Sequence, residues 1–224
     1  MKNNFITESL KWKCRNINKD SILVLDKKNF SVYVLFDGVS SSINAKQWIN
    51  IVKNYITKNI ENYYSNGITL WKIFFDANNY LLNKNIVDSY TTCSCLYIEK
   101  NTWKKKILNI WDSRIYFITN QYKKQLTLDD KEFENSNEIT KCLWMNLHSE
   151  DIKEVDLDMD SYNNGNFLLC SDWFYTFLEN NKLLFHKILQ YKRLLNIKNN
   201  LYKQIKGKNI DDSTYIYIIN NKNV

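Results

Sequence analysis

Five aspartates hold most of the chemistry that this sequence could perform. Asp37 closes the apolar run Val32 to Phe36 and is followed by Gly38, Val39 and three serines. A β-branched run that ends in Asp-Gly predicts a buried strand delivering a carboxylate to its own C-terminal end. Aspartate is a hard oxygen ligand and glycine lets a backbone carbonyl come close, so the pair suits a divalent cation, although Asp-Gly after a strand is also an ordinary turn. Asp112, Asp172 and Asp211 stand at the ends of other strand-like runs, and Asp20 precedes one. Carboxylates gathered at one pole repel each other unless cations lie between them, which is the composition of a Mg²⁺ or Mn²⁺ site.

Such a site needs a scaffold that brings distant strand ends together. Ser21 to Leu25 and the run ending at Asp37 predict a hairpin across Lys27-Lys28-Asn29, and antiparallel pairing sets Asp20 beside Asp37. Ala45, Ile49, Val52, Ile56 and Ile60 recur at helical spacing, as do Leu70, Ile73, Phe74, Ala77 and Leu81, with an Asn66-Gly67 cap and turn between the two helices. Three strands follow at Thr92 to Glu99, Lys105 to Ile110 and Ile115 to Thr119, the last two joined by Trp111-Asp112-Ser113-Arg114. After a polar excursion from Leu126 to Asp130, residues 139–147 fit helix or strand equally. Asn166 to Cys170 reads as a strand, Phe174 to Leu178 and Tyr191 to Ile205 as helices, and Tyr215 to Ile219 as a last strand. No Pro- or Gly-rich linker and no internal repeat divides the chain, so a single domain over 1–224 is expected.

Hydrophobic residues make up 44% of the 224 residues and charged residues 25%, the balance of a folded protein. No apolar run reaches membrane-spanning length, and the first residues lack the apolar core of a signal peptide, so a cytoplasmic location without membrane contact is expected. The five cysteines lie mostly in apolar runs and read as reduced core thiols; Cys93-Ser94-Cys95 has no second cluster to complete a zinc site. The formal charge of +7 comes from lysines spread along the chain without an aromatic-basic motif, which describes a solvated surface rather than a nucleic-acid interface.

In order and spacing, six segments resemble the motif series of the metal-dependent type 2C protein Ser/Thr phosphatases, the PPM family. They are Arg15-x-x-Asn18-x-Asp20, Phe36-Asp37-Gly38, Asp112-Ser113-Arg114, Leu126-Thr127-x-Asp129-Asp130, Leu168-Leu169-Cys170-Ser171-Asp172 and Asp211-Asp212-x-Thr214. They span residues 15 to 214, and Asp-Gly-Val-Ser-Ser-Ser is similar to the compact bacterial branch. The resemblance implies an α+β, four-layer αββα sandwich of two packed antiparallel sheets flanked by helices. It also implies two Mg²⁺ or Mn²⁺ ions, with a third, weaker site. Carried over by motif position, Asp37 bridges both metals, Gly38 offers its carbonyl, Asp172 and Asp211 bind the first metal, Asp20 lies close by, and Asp112 supports the third with Asp172. Arg15 would grip the phosphate, and Asp37 and Arg15 would carry catalysis. The implied activity is hydrolysis of phosphoserine and phosphothreonine by an activated water. The implied partner is a phosphorylated protein, a cognate Ser/Thr kinase or one of its targets, and the chain would act as a monomer.

Three departures from that family pattern bear on activity. Val39 stands where the eukaryotic branch has a histidine, so a water must protonate the leaving alcohol. Lys19 stands where Glu or Gln is usual, and an inward cation there would repel divalent ions. Trp12, Trp103, Trp111, Trp144 and Trp173 fall on glycine-like positions, in a chain with only four glycines against roughly 7% in average proteins. UGA codons that an AT-rich source reads as glycine, rendered here as tryptophan, would produce that pattern; UGG codons at these positions would rule it out. Genuine tryptophans beside Asp112 and Asp172 make a pseudophosphatase that holds a phosphoprotein or kinase the competing reading. The retained carboxylates favour activity.

Overall fold

The computed structural model describes residues 4–84, 88–129, 142–143, 145, 147–148, 151–191 and 193–220. Asp130, Trp144 and most of the ambiguous segment 139–147 lie outside the described residues.

Among the described residues the strands form two antiparallel sheets of five. One sheet is ordered β2 (Ser21–Asp26), β3 (Phe30–Gly38), β4 (Thr91–Glu99), β5 (Lys105–Ile110) and β8 (Lys153–Leu157). The other is ordered β1 (Phe5–Leu10), β10 (Ser213–Asn220), β9 (Gly165–Cys170), β6 (Arg114–Ile118) and β7 (Lys123–Gln125). Helices α1 (Ala45–Ser65) and α2 (Leu70–Leu82) cover the first sheet, and α3 (Asp172–Asn180), α4 (Lys182–Leu189) and α5 (Leu194–Ile205) cover the second. A core of residues from both sheets, including Tyr33, Leu35, Ile115 and Leu169, lies between them. This is the expected αββα sandwich.

Strand β3 shows why its sequence is continuously apolar. Val32, Val34 and Phe36 pack under α1 and α2, while Tyr33 and Leu35 enter the core between the sheets, so both faces are covered. On α1 and α2, every residue named from helical spacing is buried, and Gly67 takes φ +65° where the chain turns between them. Cys93 and Cys95 are buried on one face of β4, and Cys14 is exposed.

Four elements escape the periodicity argument. β1 has every residue half-buried, β7 is three residues long, and β8 alternates poorly because it is an exposed edge. α4 is an eight-residue helix that follows α3 directly at Asn181, and the helix expected from Tyr191 begins at Leu194.

The tryptophans divide. Trp103, in the β4–β5 turn, has φ +60°, and Trp111, after β5, has φ +78°; with Asp88 they are the non-glycine residues of positive φ among the described residues. Trp12 and Trp173 have no such backbone; Trp173 sits in the first turn of α3, its ring stacked on Phe177 at 5.1 Å. At most positions alanine is more stable than glycine by about 0.5–1 kcal/mol, whereas a Cβ in the left-handed region costs roughly 1–2 kcal/mol. Trp103→Gly is therefore expected to be more stable than Trp103→Ala by about 1 kcal/mol, and likewise at Trp111, in urea unfolding. An alanine variant that is the more stable of the pair at both positions contradicts this.

Candidate metal centre

Register gathers the aspartates at one pole. Ser21 pairs with Phe36, so Asp20 and Asp37 sit opposite each other. In the second sheet Cys170 pairs with both Arg114 and Tyr215, which aligns the start of β6, the end of β9 and the start of β10. Those three ends carry Asp112, Asp172 and Asp211. Asp37, Gly38, Asp112, Asp172 and Asp211 line one cavity of about 1000 Å³. Gly38 is required there, because a Cβ would come within 2.8 Å of Lys19 Cβ and 2.9 Å of the Lys19 carbonyl oxygen.

The carboxylates are electrostatically uncomfortable. Burial pushes Asp20 up to about 7, against weaker help from Thr214 and Asp37 and with added repulsion from Asp212 and Asp172. Burial also raises Asp37 well above the usual carboxylate range, and Asp20, Asp172 and Asp112 add like-charge repulsion. Asp172 is raised by burial and then by Asp211, with the Trp173 amide and Arg15 opposing. The N-terminus of α3 gives partial relief, since the Asp172 amide donates to Asp37 Oδ2 at 3.4 Å. Ser171 does not cap that helix: its Oγ accepts from the Thr214 amide at 2.9 Å and fastens β10 to β9.

The chemistry of this donor set fits a hard divalent cation. Both Asp20 oxygens are buried without a hydrogen bond of good geometry, an arrangement that is expensive unless a cation compensates it. The fit lies in composition more than in closed geometry. Among the described residues, no three carboxylate, histidine or cysteine side chains already surround one point at ligand spacing. Arg15 explains part of this, because its Nη2 occupies Asp211 Oδ1 at 2.6 Å.

Arg15 is anchored by a residue whose role the motif reading missed. Asp212, 2% exposed, accepts from Arg15 Nη1 at 2.7 Å, from the Trp12 amide at 2.8 Å and from the Lys19 amide at 2.8 Å. Arg15 Nη2 also donates to Ser40 Oγ. Burial opposes the guanidinium charge, but Asp212 and Asp211 raise its pKa overall. Lys19 does not aim its ammonium at the carboxylates: Nζ donates to the carbonyls of Ser40 and Ser42, each at 2.7 Å, and braces the loop after Gly38. The only sequence signal for Asp212 is a second acid directly after Asp211.

A second arginine, Arg114, lines the cavity. Arg114 makes a bidentate contact with Asp129, through Nη2 at 2.7 Å and Nε at 3.1 Å, stacks on Tyr175 at 3.7 Å and reaches Glu179 at 3.1 Å. The motifs around Asp112 and Asp129 are thus joined, and Arg114, Tyr175 and Glu179 face the same cavity. His148 and His186 do not line it; His186, on α4, pairs with Gln190 just past the end of that helix.

No family model matches this chain, and no curated protein matches it in sequence. Solved structures match it closely in fold. The serine/threonine phosphatase Stp1 from Staphylococcus aureus superposes with a TM-score of 0.76 at 17% identity, covering 98% of this chain and 95% of its own. The PPM Ser-Thr phosphatase MsPP from Mycobacterium smegmatis, solved with cacodylate, gives 0.73 at 16% identity over 96% and 97%. RsbX, solved with magnesium, gives 0.68 at 18% identity over 95% and 92%. The fold of this chain is therefore that of the compact bacterial PPM-type serine/threonine phosphatases.

Proposed function

We propose that this chain is a single-domain, metal-dependent protein Ser/Thr phosphatase of the PPM family. One observation carries the reading: five aspartates and Gly38 gather at one pole of a phosphatase fold, four of the aspartates and Gly38 lining a single cavity with Asp20 opposite Asp37. Asp37, Gly38, Asp172 and Asp211 would hold two Mg²⁺ or Mn²⁺ ions, with Asp20 next to Asp37 and Asp112 beside Asp172 for a third, weaker ion. Bound there, the ions supply the Lewis acidity that makes water nucleophilic near neutral pH and offsets phosphoryl charge. That MsPP was solved with cacodylate and RsbX with magnesium supports this choice of ligands.

The chain's own residues bind and orient the substrate. Arg15 offers planar, permanently charged donors that match two phosphoryl oxygens. Val39 lines the cavity without a transferable proton, so position 39 supplies no general acid for the leaving alcohol. The substrate would be a phosphorylated protein, a cognate kinase or one of its targets. A cytoplasmic site of action and a monomeric state belong to the same proposal. No described helix is long and apolar enough to cross a membrane.

The test is phosphate release from a phosphothreonine peptide with Mn²⁺, with and without chelator. Turnover that chelator abolishes is the expected result. Arg15→Ala should raise KM for that peptide about 10- to 100-fold, since a charge-assisted contact contributes about 1.5–3 kcal/mol. An unchanged KM with lost metal binding contradicts the assigned role. A second reading, a pseudophosphatase, draws on Trp111, held at φ +78° beside Asp112, and on Arg15 occupying Asp211. Phosphopeptide binding without Mn²⁺-dependent turnover favours it.

A further inference from the structure

The two acids at the start of β10 differ in a way the motif does not express. Asp212 has 1% of its side chain exposed and Asp211 has 31%, yet one guanidinium bonds both. Asp212 is held by three donors: Oδ1 accepts from the Trp12 amide, and Oδ2 from the Lys19 amide and Arg15 Nη1. Asp211 faces the cavity; its Oδ1 accepts from the Asp212 amide and from Arg15 Nη2, each at 2.6 Å, and its Oδ2 from Ser40 Oγ at 3.1 Å, the two side-chain contacts being exchangeable. A guanidinium has two separable donor edges, so one can stay fixed while the other changes partner.

We propose that Asp212 is a positioning residue for phosphate binding: it fixes the Nη1 edge of Arg15 so that the Nη2 edge, which rests on Asp211 and Ser40, is presented to the phosphoryl oxygens of a phosphomonoester. This rests on the phosphatase reading. Asp211 and Ser40 hold that edge in the metal-free chain, and Ser40 keeps it in place when a cation takes Asp211. Asp212 also ties both ends of the loop that carries Arg15, because Trp12 and Lys19 donate to the same carboxylate. The arginine therefore meets its ligand with most of its rotamer freedom already spent, which lowers the entropic cost of binding.

The test uses the full chain with Mn²⁺, p-nitrophenyl phosphate as substrate and inorganic phosphate as equilibrium ligand. Asp212→Asn is expected to raise KM and weaken phosphate binding about tenfold each, with kcat changed by less than about threefold. Arg15→Ala with Asp212→Asn should bind phosphate no worse than Arg15→Ala alone, since the partner being positioned is already gone. A wild-type KM in Asp212→Asn, or losses that multiply in the double variant, overturns the proposal and leaves Asp212 a structural tie. Arg15→Lys covers the case in which Asp212→Asn fails to fold. An ammonium lacks a second rigid edge, so its KM should approach that of Arg15→Ala, and a wild-type KM overturns the proposal. In metal-free protein, Asp212→Ala should speed hydrogen exchange at the Trp12 and Lys19 amides about tenfold, while Arg15→Ala leaves both protected; amides unaffected by Asp212→Ala overturn the tie itself. A wild-type chain with no turnover and no phosphate affinity is a different failure, because it removes the phosphatase reading and this proposal with it.

Discussion

Asp37→Asn is expected to lower Mn²⁺-dependent turnover by about 10³-fold or more, because the proposed bridge between two cations becomes an amide with one neutral oxygen. The fold should survive. Asp37 sits at the end of β3 among like charges from Asp20, Asp172 and Asp112, so removing its charge relieves repulsion in the metal-free protein. Melting in chelator should therefore stay level or rise while turnover collapses. The two measurements together separate a chemical loss from a folding loss. A variant that melts normally and keeps wild-type turnover removes Asp37 from the mechanism, and the two-metal reading goes with it.

The second large effect is on stability, and it runs opposite to ordinary acid denaturation. Asp20 binds its proton more tightly in the folded chain, with a pKa of about 7 against an ordinary 3.8. The folded state thus holds more protons than the unfolded state between those values, and the stability this lends is complete below about pH 4 and lost as pH rises through about 7. Asp37 and Asp172 shift in the same direction and repel Asp20, so the three carboxylates take up protons as one interacting set. In chelator, the wild-type protein should melt several degrees higher at pH 5 than at pH 8. Asp20→Asn should flatten that slope, and saturating Mn²⁺ should reverse it, because a cation binds the ionised form. An equal slope in wild type and Asp20→Asn contradicts the assignment.

How far the sequence revealed the site depended on the distance over which each constraint acts. Asp20 and Asp37 could be paired from the sequence because a hairpin is local, and the observed register keeps them opposite. The helical faces of α1 and α2 were equally clear, since a fully buried stripe imposes its period. β1, β8 and α4 were not, because half-buried edges and one short helix leave weak periodicity. Asp212 was visible as a letter in a motif, but its partners Trp12 and Lys19 lie 200 and 193 positions away. Lys19 raised the opposite problem: its charge was evident, while its use in bracing Ser40 and Ser42 depends on a loop conformation that only the fold fixes. The glycine-like tryptophans were suspected from motif position, and positive φ singles out Trp103 and Trp111 among those described.

β10 follows both of its sheet neighbours in the chain. It runs between β1 and β9, inside its sheet, and it is the last strand to leave the ribosome among the described residues. Until it inserts, β1 has no pairing partner within its own sheet, Arg15 lacks both acids, and the cavity lacks Asp211. The local β2–β3 hairpin can form early, but closing contacts across about 200 residues is slow because the loop entropy is met before the contact is made. The cavity and the ordered Arg15 thus form together, once β10 is seated between β1 and β9.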